Sequence, residues 1–142
     1  MNMTRILIVG SRNYNKYEEL KQAWQAYIDK HGLRNEKITI VSGGAQGADK
    51  LAERLAKEEG LPIEIHRPDW QQHGKSAGMI RNAEMVQKAQ HLIALWDGTS
   101  KGTAMTIRTA QRKGLTIKIV QPPAKQAEWE QLALYGPPTT TA

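Results

Sequence analysis

The stretch Arg5-Ile6-Leu7-Ile8-Val9-Gly10-Ser11-Arg12-Asn13 decides the fold. An unbroken apolar run of strand length, ending on glycine and a polar turn, fits a strand covered on both faces of a parallel sheet. Four more strand-like runs follow, at Lys37 to Val41, Pro62 to His66, His91 to Trp96 and Thr116 to Gln121. Helical patterns separate them. Tyr17, Leu20, Trp24, Tyr27 and Ile28 mark one buried face, and Ala48, Leu51, Ala52 and Leu55 a second. A third helix, from about Ser76 to Gln90, turns Met79, Ile80, Ala83 and Val86 inward; a fourth, from Thr103 to Lys113, does the same with Ala104, Ile107 and Ala110. Gly60 and Gly114 stand where helix C-caps are expected.

Strands alternating with helices predict an α/β domain of Rossmann-like type: one parallel sheet of about five strands between two helical layers. Polarity orders the strands. The runs at residues 6–9 and 92–95 are continuously apolar, as central strands are, whereas Ile63-Glu64-Ile65-His66 and Ile117-Lys118-Ile119 alternate as edges do. The predicted order is 3-2-1-4-5, which reverses direction between strands one and four and puts a ligand crevice at the carboxyl ends beside that reversal. Residues 1–122 form the domain. Residues 123–142 form a tail, with a short helix around Gln126 to Leu134 and a disordered end.

With 142 residues the chain suits one core without staples, and it has no cysteine for disulfides or thiolate ligation. Its four histidines, His31, His66, His73 and His91, show no clustered ligand spacing, so neither a metal nor another cofactor is expected. The apolar run near the N-terminus is too short for a signal-peptide core or a membrane span, and a cytoplasmic location is expected. A net charge of +6 favours an anionic partner. Because the basic residues are scattered, a small anionic ligand ranks above a nucleic-acid track.

Three glycine-containing loops follow strands one, two and four. They are Gly10-Ser11-Arg12-Asn13, Ser42-Gly43-Gly44-Ala45-Gln46-Gly47-Ala48-Asp49, and Asp97-Gly98-Thr99-Ser100-Lys101-Gly102-Thr103. In the predicted order these strands are neighbours, so the loops share one crevice, where glycine lets backbone amides approach phosphate near helix N-termini. Neither the dinucleotide Gly-x-Gly-x-x-Gly fingerprint nor the Walker Gly-Lys-Ser/Thr ending is present. Arg12 and Arg81 read as phosphate clamps, with Lys75 and Lys101 weaker candidates. Asp49 reads equally as a ribose acceptor or a helix cap, Trp70 and Trp96 as base platforms or core with Trp96 assigned to the core, and His73 as a solvated loop residue. Ser11, Ser42, Ser100 and Thr103 donate to a ligand or cap turns, and no Ser-His-Asp arrangement is assignable.

The ordered set Gly10-Ser11-Arg12, Val41-Ser42-Gly43-Gly44-Ala45-x-Gly47-Ala48-Asp49, Asp69-Trp70, Gly74-Lys75-x-Ala77-Gly78-x-Ile80-Arg81-Asn82-x-Glu84-Met85 and Trp96-Asp97-Gly98-x-Ser100-x-Gly102-Thr103 resembles the SLOG superfamily, closest to its YspA-like group common in phages and bacteria. The resemblance spans about residues 5–121. It implies a Rossmann-like fold binding nucleotides or nucleotide-derived ligands, with relatives that include LOG-type phosphoribohydrolases, DNA-processing proteins and sensors of ADP-ribose-derived signals. In the hydrolase branch an arginine of the Arg-x-x-Glu-Met helix works with a glutamate of the Gly-Gly-x-Gly-Thr-x-x-Glu loop. Arg81 matches, but Thr106 stands at the glutamate position and Thr99 at the second loop glycine. The carboxylate that stabilises an oxocarbenium-like state is therefore missing unless Asp97, Glu84 or Asp69 substitutes.

The leading expectation is a protein that senses or sequesters a nucleotide-derived molecule, ADP-ribose-like or a cyclic signalling nucleotide, as a phage anti-defence protein. Its predicted ligand set is Gly10, Ser11, Arg12, Ser42, Gly43, Gly44, Gly47, Asp49, Arg81, Asn82, Asp97, Gly98, Ser100, Gly102 and Thr103. The alternatives are a phosphoribohydrolase using Arg81, Glu84 and Asp97, and a single-stranded DNA binder. A homo-oligomer is expected, with Met79, Met85 and the tail (Trp129, Leu132, Tyr135) offering apolar surface.

Overall fold

Strand residues alternate between the two faces of a sheet, and β1 (Met3–Gly10) places an apolar side chain on each. In the computed structural model, which describes residues 3–120, Ile6 and Ile8 join one buried cluster while Leu7 and Val9 join the other. The uninterrupted hydrophobic run therefore serves two cores. The first lies under α1 (Tyr17–Lys30) and α2 (Ala48–Glu59), with Leu20, Trp24 and Leu55 against Ile40 and Ile93. The second packs Met85, Val86, Ile107 and Ala110 of α4 (Ala77–Lys88) and α5 (Lys101–Lys113) against Val41, Leu92 and Ala94. Each fully buried Leu or Ile contributes roughly 1.5–3 kcal/mol.

Among the described residues, β1, β2 (Lys37–Ser42), β3 (Ile63–Ile65), β4 (His91–Leu95) and β5 (Thr116–Val120) form one parallel sheet in the order β3-β2-β1-β4-β5. This is the predicted order, and the alternating strands are the edges. Gly60 and Gly114 close α2 and α5 in left-handed conformations, as expected. The predicted tail helix and its apolar residues lie outside the described residues. Among those described, no helix is long and apolar enough to cross a membrane.

Two features depart from the sequence reading. A short helix α3 (Trp70–His73) and a 3-10 turn (Gly74–Ser76) precede α4, where the chain reads as loop. On α4 itself, Met79 and Ala83 are exposed and the buried residues are Ala77, Met85 and Val86. The inner stripe runs at four-residue spacing through Ala77, Arg81 and Met85, and the half-buried arginine in its middle hides it from a purely hydrophobic periodicity. Met85, expected on an oligomer surface, is core, whereas Met79 is indeed 56% exposed.

At the opposite edge of the sheet from the strands' carboxyl ends, His91 Nδ1 lies 2.5 Å from the Tyr27 hydroxyl. Burial pushes Tyr27 up to about 12, so the phenol keeps its proton beside the imidazole, and the same hydroxyl donates to Thr116 O at 3.4 Å. Burial lowers His91, neighbouring His31 adds to the effect, and Glu36 partly opposes it. A histidine depressed in the folded state gives stability that is present above its unfolded value of about 6.5 and lost as pH falls through the folded value. The melting temperature of the protein is therefore expected to fall on acidification below about pH 6.5, more steeply than that of His91→Gln. Parallel curves for the two proteins would show that His91 carries none of the dependence.

Candidate functional site

Ser11 ties the three loops together. Its amide donates to Leu95 O at the end of β4 (3.0 Å), its carbonyl accepts from Ala48 N at the start of α2 (3.2 Å), and its Oγ accepts from Asp97 N after β4 (3.3 Å). The neighbouring glycines permit this approach. A Cβ at Gly10 would lie 2.3 Å from Leu95 O, and one at Gly47 only 2.2 Å from Arg12 O. Gly47 also has φ of +71°, a region that L side chains avoid.

The result is a cleft of about 300 Å³ at the carboxyl ends of β1, β2 and β4, beside the reversal of strand order. From the predicted set, Gly10 and Arg12 line it from the first loop, Asp49 from the second, Arg81 and Asn82 from α4, and Ser100, Gly102 and Thr103 from the third loop. Ser11, Ser42, Gly43, Gly44, Gly47, Asp97 and Gly98 do not line it; they build the loops behind it. Ser42 Oγ donates to Asp49 O and accepts from Gly44 N, each at 3.4 Å. Asp97 Oδ1 accepts from Thr99 N and Ser100 N, both at 2.8 Å. Burial would raise Asp97, but those two amides, together with the Thr99 and Ser11 hydroxyls, outweigh it and hold the carboxyl below its ordinary range.

Several loop amides are thus spent within the loops, because a donor facing no ligand can find a partner in the protein itself. Ala45 N donates to Asp49 Oδ2 at 3.0 Å, and Thr103 N to Ser100 Oγ at 3.5 Å. The amides of Lys101 and Gly102, in the first turn of α5, precede its first intrahelical acceptor, and Gly102 lines the cleft. Among the described residues the amides of Gly43, Gln46, Gly47 and Gly98 are likewise used by no hydrogen bond, so free donors remain in the second and third loops as well as at this helix end. Positive charge comes from side chains.

Arg81 is the most constrained of these. Its Nε donates to Asn82 Oδ1 (2.7 Å), and its Nη1 to Gly43 O (2.8 Å) and His66 O (3.3 Å). Among the described residues no hydrogen bond uses Nη2. Burial pushes the guanidinium down, Asp49 offsets part of that, and Arg12 adds to it. Two arginines therefore share the cleft with one carboxylate, which is itself compromised: burial raises Asp49 against the opposing pull of Ala45 N and Arg81. Lys75 also lines the cleft, and Lys101 does not. A cleft in which burial and the neighbouring Arg12 both press down the Arg81 guanidinium is matched by a ligand that brings negative charge.

The acids weighed for hydrolysis are elsewhere. Glu84 is exposed and outside the cleft, Asp97 faces its own loop, and Asp69 caps α3 by accepting from Gln72 N. Thr106, at the position of the hydrolase glutamate, lines the cleft and donates Oγ1 to Gly102 O at 3.1 Å. Trp96 is core, as expected, with Nε1 donating to Ser100 O. Besides Trp70 and Lys75, the cleft residues outside the predicted ligand set are Val9, Ala45, Gln46, Gly78, Met79, Met85 and Thr106. Gln46 and Gly78 stand within quoted motifs, which was the signal available for them. Among the described residues, no group of three His, Cys, Asp or Glu is placed to hold a metal ion.

Gly102 offers a test that separates binding from folding. A Cβ there would meet no protein atom within 4 Å, and the residue lies in a helix without positive φ. Gly102→Ala is expected to melt at or slightly above the parent temperature, since alanine is favoured by about 1 kcal/mol in a helix. It should nevertheless weaken an anion held at the open end of α5, as titration calorimetry with nucleotides would reveal.

A doubly wound sheet with a cationic cleft at its switch point defines a Rossmann-like α/β protein of nucleotide-binding architecture. The comparisons narrow the class. The model of the YspA, cpYpsA-related SLOG family matches residues 4–73, which carry Arg12, the second glycine loop, Asp49 and Trp70. The Gene 61 protein of Mycobacterium phage D29 is 39% identical over 121 residues, covering 81% of this chain and 94% of that protein. The X-ray structure of TM1055, a Northeast Structural Genomics Consortium target, aligns with a TM-score of 0.57 at 18% identity, covering 81% of this chain and 72% of the other, and shares the fold. The chain belongs to the YspA, cpYpsA-related SLOG family, and its function is of that family's nucleotide-related kind.

Proposed function

We propose that the protein binds a nucleotide or nucleotide-derived small molecule in this cleft, through its phosphate, and senses or sequesters it. The observation that carries this reading is the arrangement of Arg81, fixed through Nε and Nη1 with Nη2 unspent, alongside Arg12 and an open helix N-terminus. The cleft volume lies at the small end of the ~300–1,000 Å³ typical of small-molecule sites, which suits a mononucleotide-sized group. An ADP-ribose-like or cyclic signalling nucleotide has that charge and those parts. Similarity to a phage protein supports a role in withdrawing such a signal during infection.

Gathering of the cations into one cleft supports a small ligand over an oligonucleotide track. Hydrolysis of the ligand lacks support from Glu84, Asp97 and Asp69, none of which lines the cleft. The test is a thermal-shift screen of nucleoside monophosphates, ADP-ribose and cyclic nucleotides, with mass spectrometry of molecules released from the purified protein on denaturation. A ligand at one hundred times its Kd should add about 2.7 kcal/mol of stability. Phosphate-bearing compounds are expected to raise the melting temperature while the matching nucleosides do not. Free base appearing on chromatography, and lost in Arg81→Ala, would replace binding with N-glycosidic hydrolysis.

A further inference from the structure

Trp70 is anomalous. The other tryptophans among the described residues, Trp24 and Trp96, are 4% and 8% exposed, whereas Trp70 is 56% exposed and lines the cleft. It does not anchor its own segment, because α3 contributes no buried residue. Its cap, Asp69 Oδ1 accepting from Gln72 N at 3.0 Å, shapes the turn from which the indole projects. Beneath the ring lies Gly78: a Cβ there would meet Trp70 Cη2 at 3.9 Å, so the six-membered ring rests against the glycine of α4. Met79, the next residue, is equally exposed and lines the same cleft.

A large flat apolar surface left in water beside two guanidinium groups has one evident use. We propose that Trp70 is a stacking platform for an aromatic base, with Met79 at its side. The cleft then takes an anion that carries a flat heterocycle, a nucleotide, and not a sugar phosphate or inorganic phosphate. This inference rests on the phosphate-binding reading above and adds the requirement for a ring. Stacking tolerates every base because each has a π face, so the platform selects nucleotides as a class.

Titration calorimetry on the full chain tests it, with AMP, GMP, CMP and UMP against ribose 5-phosphate. At least one monophosphate is expected to bind the unmodified protein more tightly than ribose 5-phosphate. Trp70→Ala should weaken that nucleotide roughly 5- to 150-fold, the range found for removing one base-stacking aromatic, and leave ribose 5-phosphate unchanged. Trp70→Phe should retain most of the preference. Since the side chain is mostly exposed, folding is not at stake, and circular dichroism verifies it. If Trp70→Ala leaves the ratio of nucleotide to sugar phosphate unaltered while Arg81→Ala weakens both, the phosphate site stands and the platform is wrong. If Trp70→Ala weakens both ligands equally, the ring shapes the cleft and does not select a base, which also overturns the platform. If neither class binds the unmodified protein, the phosphate reading itself fails and takes the platform with it.

Discussion

Arg81→Ala is expected to lose nucleotide binding by roughly 30-fold or more, while Arg81→Lys recovers only part of it. Truncating one partner of a hydrogen-bonded charge pair in a desolvated setting costs about 2–5 kcal/mol, and each ~1.4 kcal/mol is tenfold in affinity. The side chain also bridges two segments, joining α4 to Gly43 O and His66 O, so its removal strands two carbonyls and the Asp49 carboxylate. Lysine restores the charge but not the planar fork that meets Asn82 with Nε and Gly43 with Nη1. A second readout follows from sign. Asp49 is already raised by burial, and Arg81 is one of the groups holding it down, so its titration should move further up in Arg81→Ala. Calorimetry and carboxyl-detected NMR check the two effects. Unchanged affinity with unchanged Asp49 titration would show that Arg81 has no part in the site.

The largest effect on folding is expected at Gly47. Alanine there must adopt φ of +71° with ψ of −124° and place its Cβ 2.2 Å from Arg12 O, 2.4 Å from Arg12 C and 2.5 Å from Ser11 O. All three obstacles are backbone, so no rotamer change relieves them. Strain at such a conformation costs about 1–3 kcal/mol and overpacking another 1–3 kcal/mol, which for a domain of this size lowers the melting temperature on the order of 10 °C. Gly47→Ala should also loosen the first loop from the second, because Ala48 N to Ser11 O is their direct bond. Calorimetric melting of Gly47→Ala beside Gly102→Ala makes the contrast: one glycine is required by the protein's own backbone, the other only by what enters the cleft. Equal melting temperatures would remove that distinction.

The fold was legible because strand polarity reports burial directly. Ile6 to Val9 had to face apolar layers on both sides, and the alternation in Ile63 to His66 could only suit an edge. The register of α4 was not legible, for a physical reason: Arg81 occupies the inward stripe, and a hydrophobic count treats a buried functional arginine as surface. That error moved Met79 and Ala83 inward and Met85 outward. The short helix α3 escaped because its only signal is the Asp69 cap, with no apolar residue buried beneath it. Within the site, loop adjacency followed from strand order, but the fate of the Ala45, Thr99 and Ser100 amides did not, since Asp49 and Asp97 take them through side-chain bonds that spacing does not reveal. Part of each loop that reads as a phosphate cradle is scaffolding, through Ser11, Ser42 and Asp97, that shapes the cleft around its arginines.

Nitrogen-15 NMR of the full chain during titration with AMP probes that arrangement most directly. The predicted result is saturable movement of the Arg81 and Arg12 guanidinium Nε–H signals and of the Lys101 and Gly102 amides, with Tyr27 and His31 at the far edge of the sheet unmoved. Shifts confined to that far edge, or saturable binding that leaves Arg81 and Gly102 unperturbed, would contradict it.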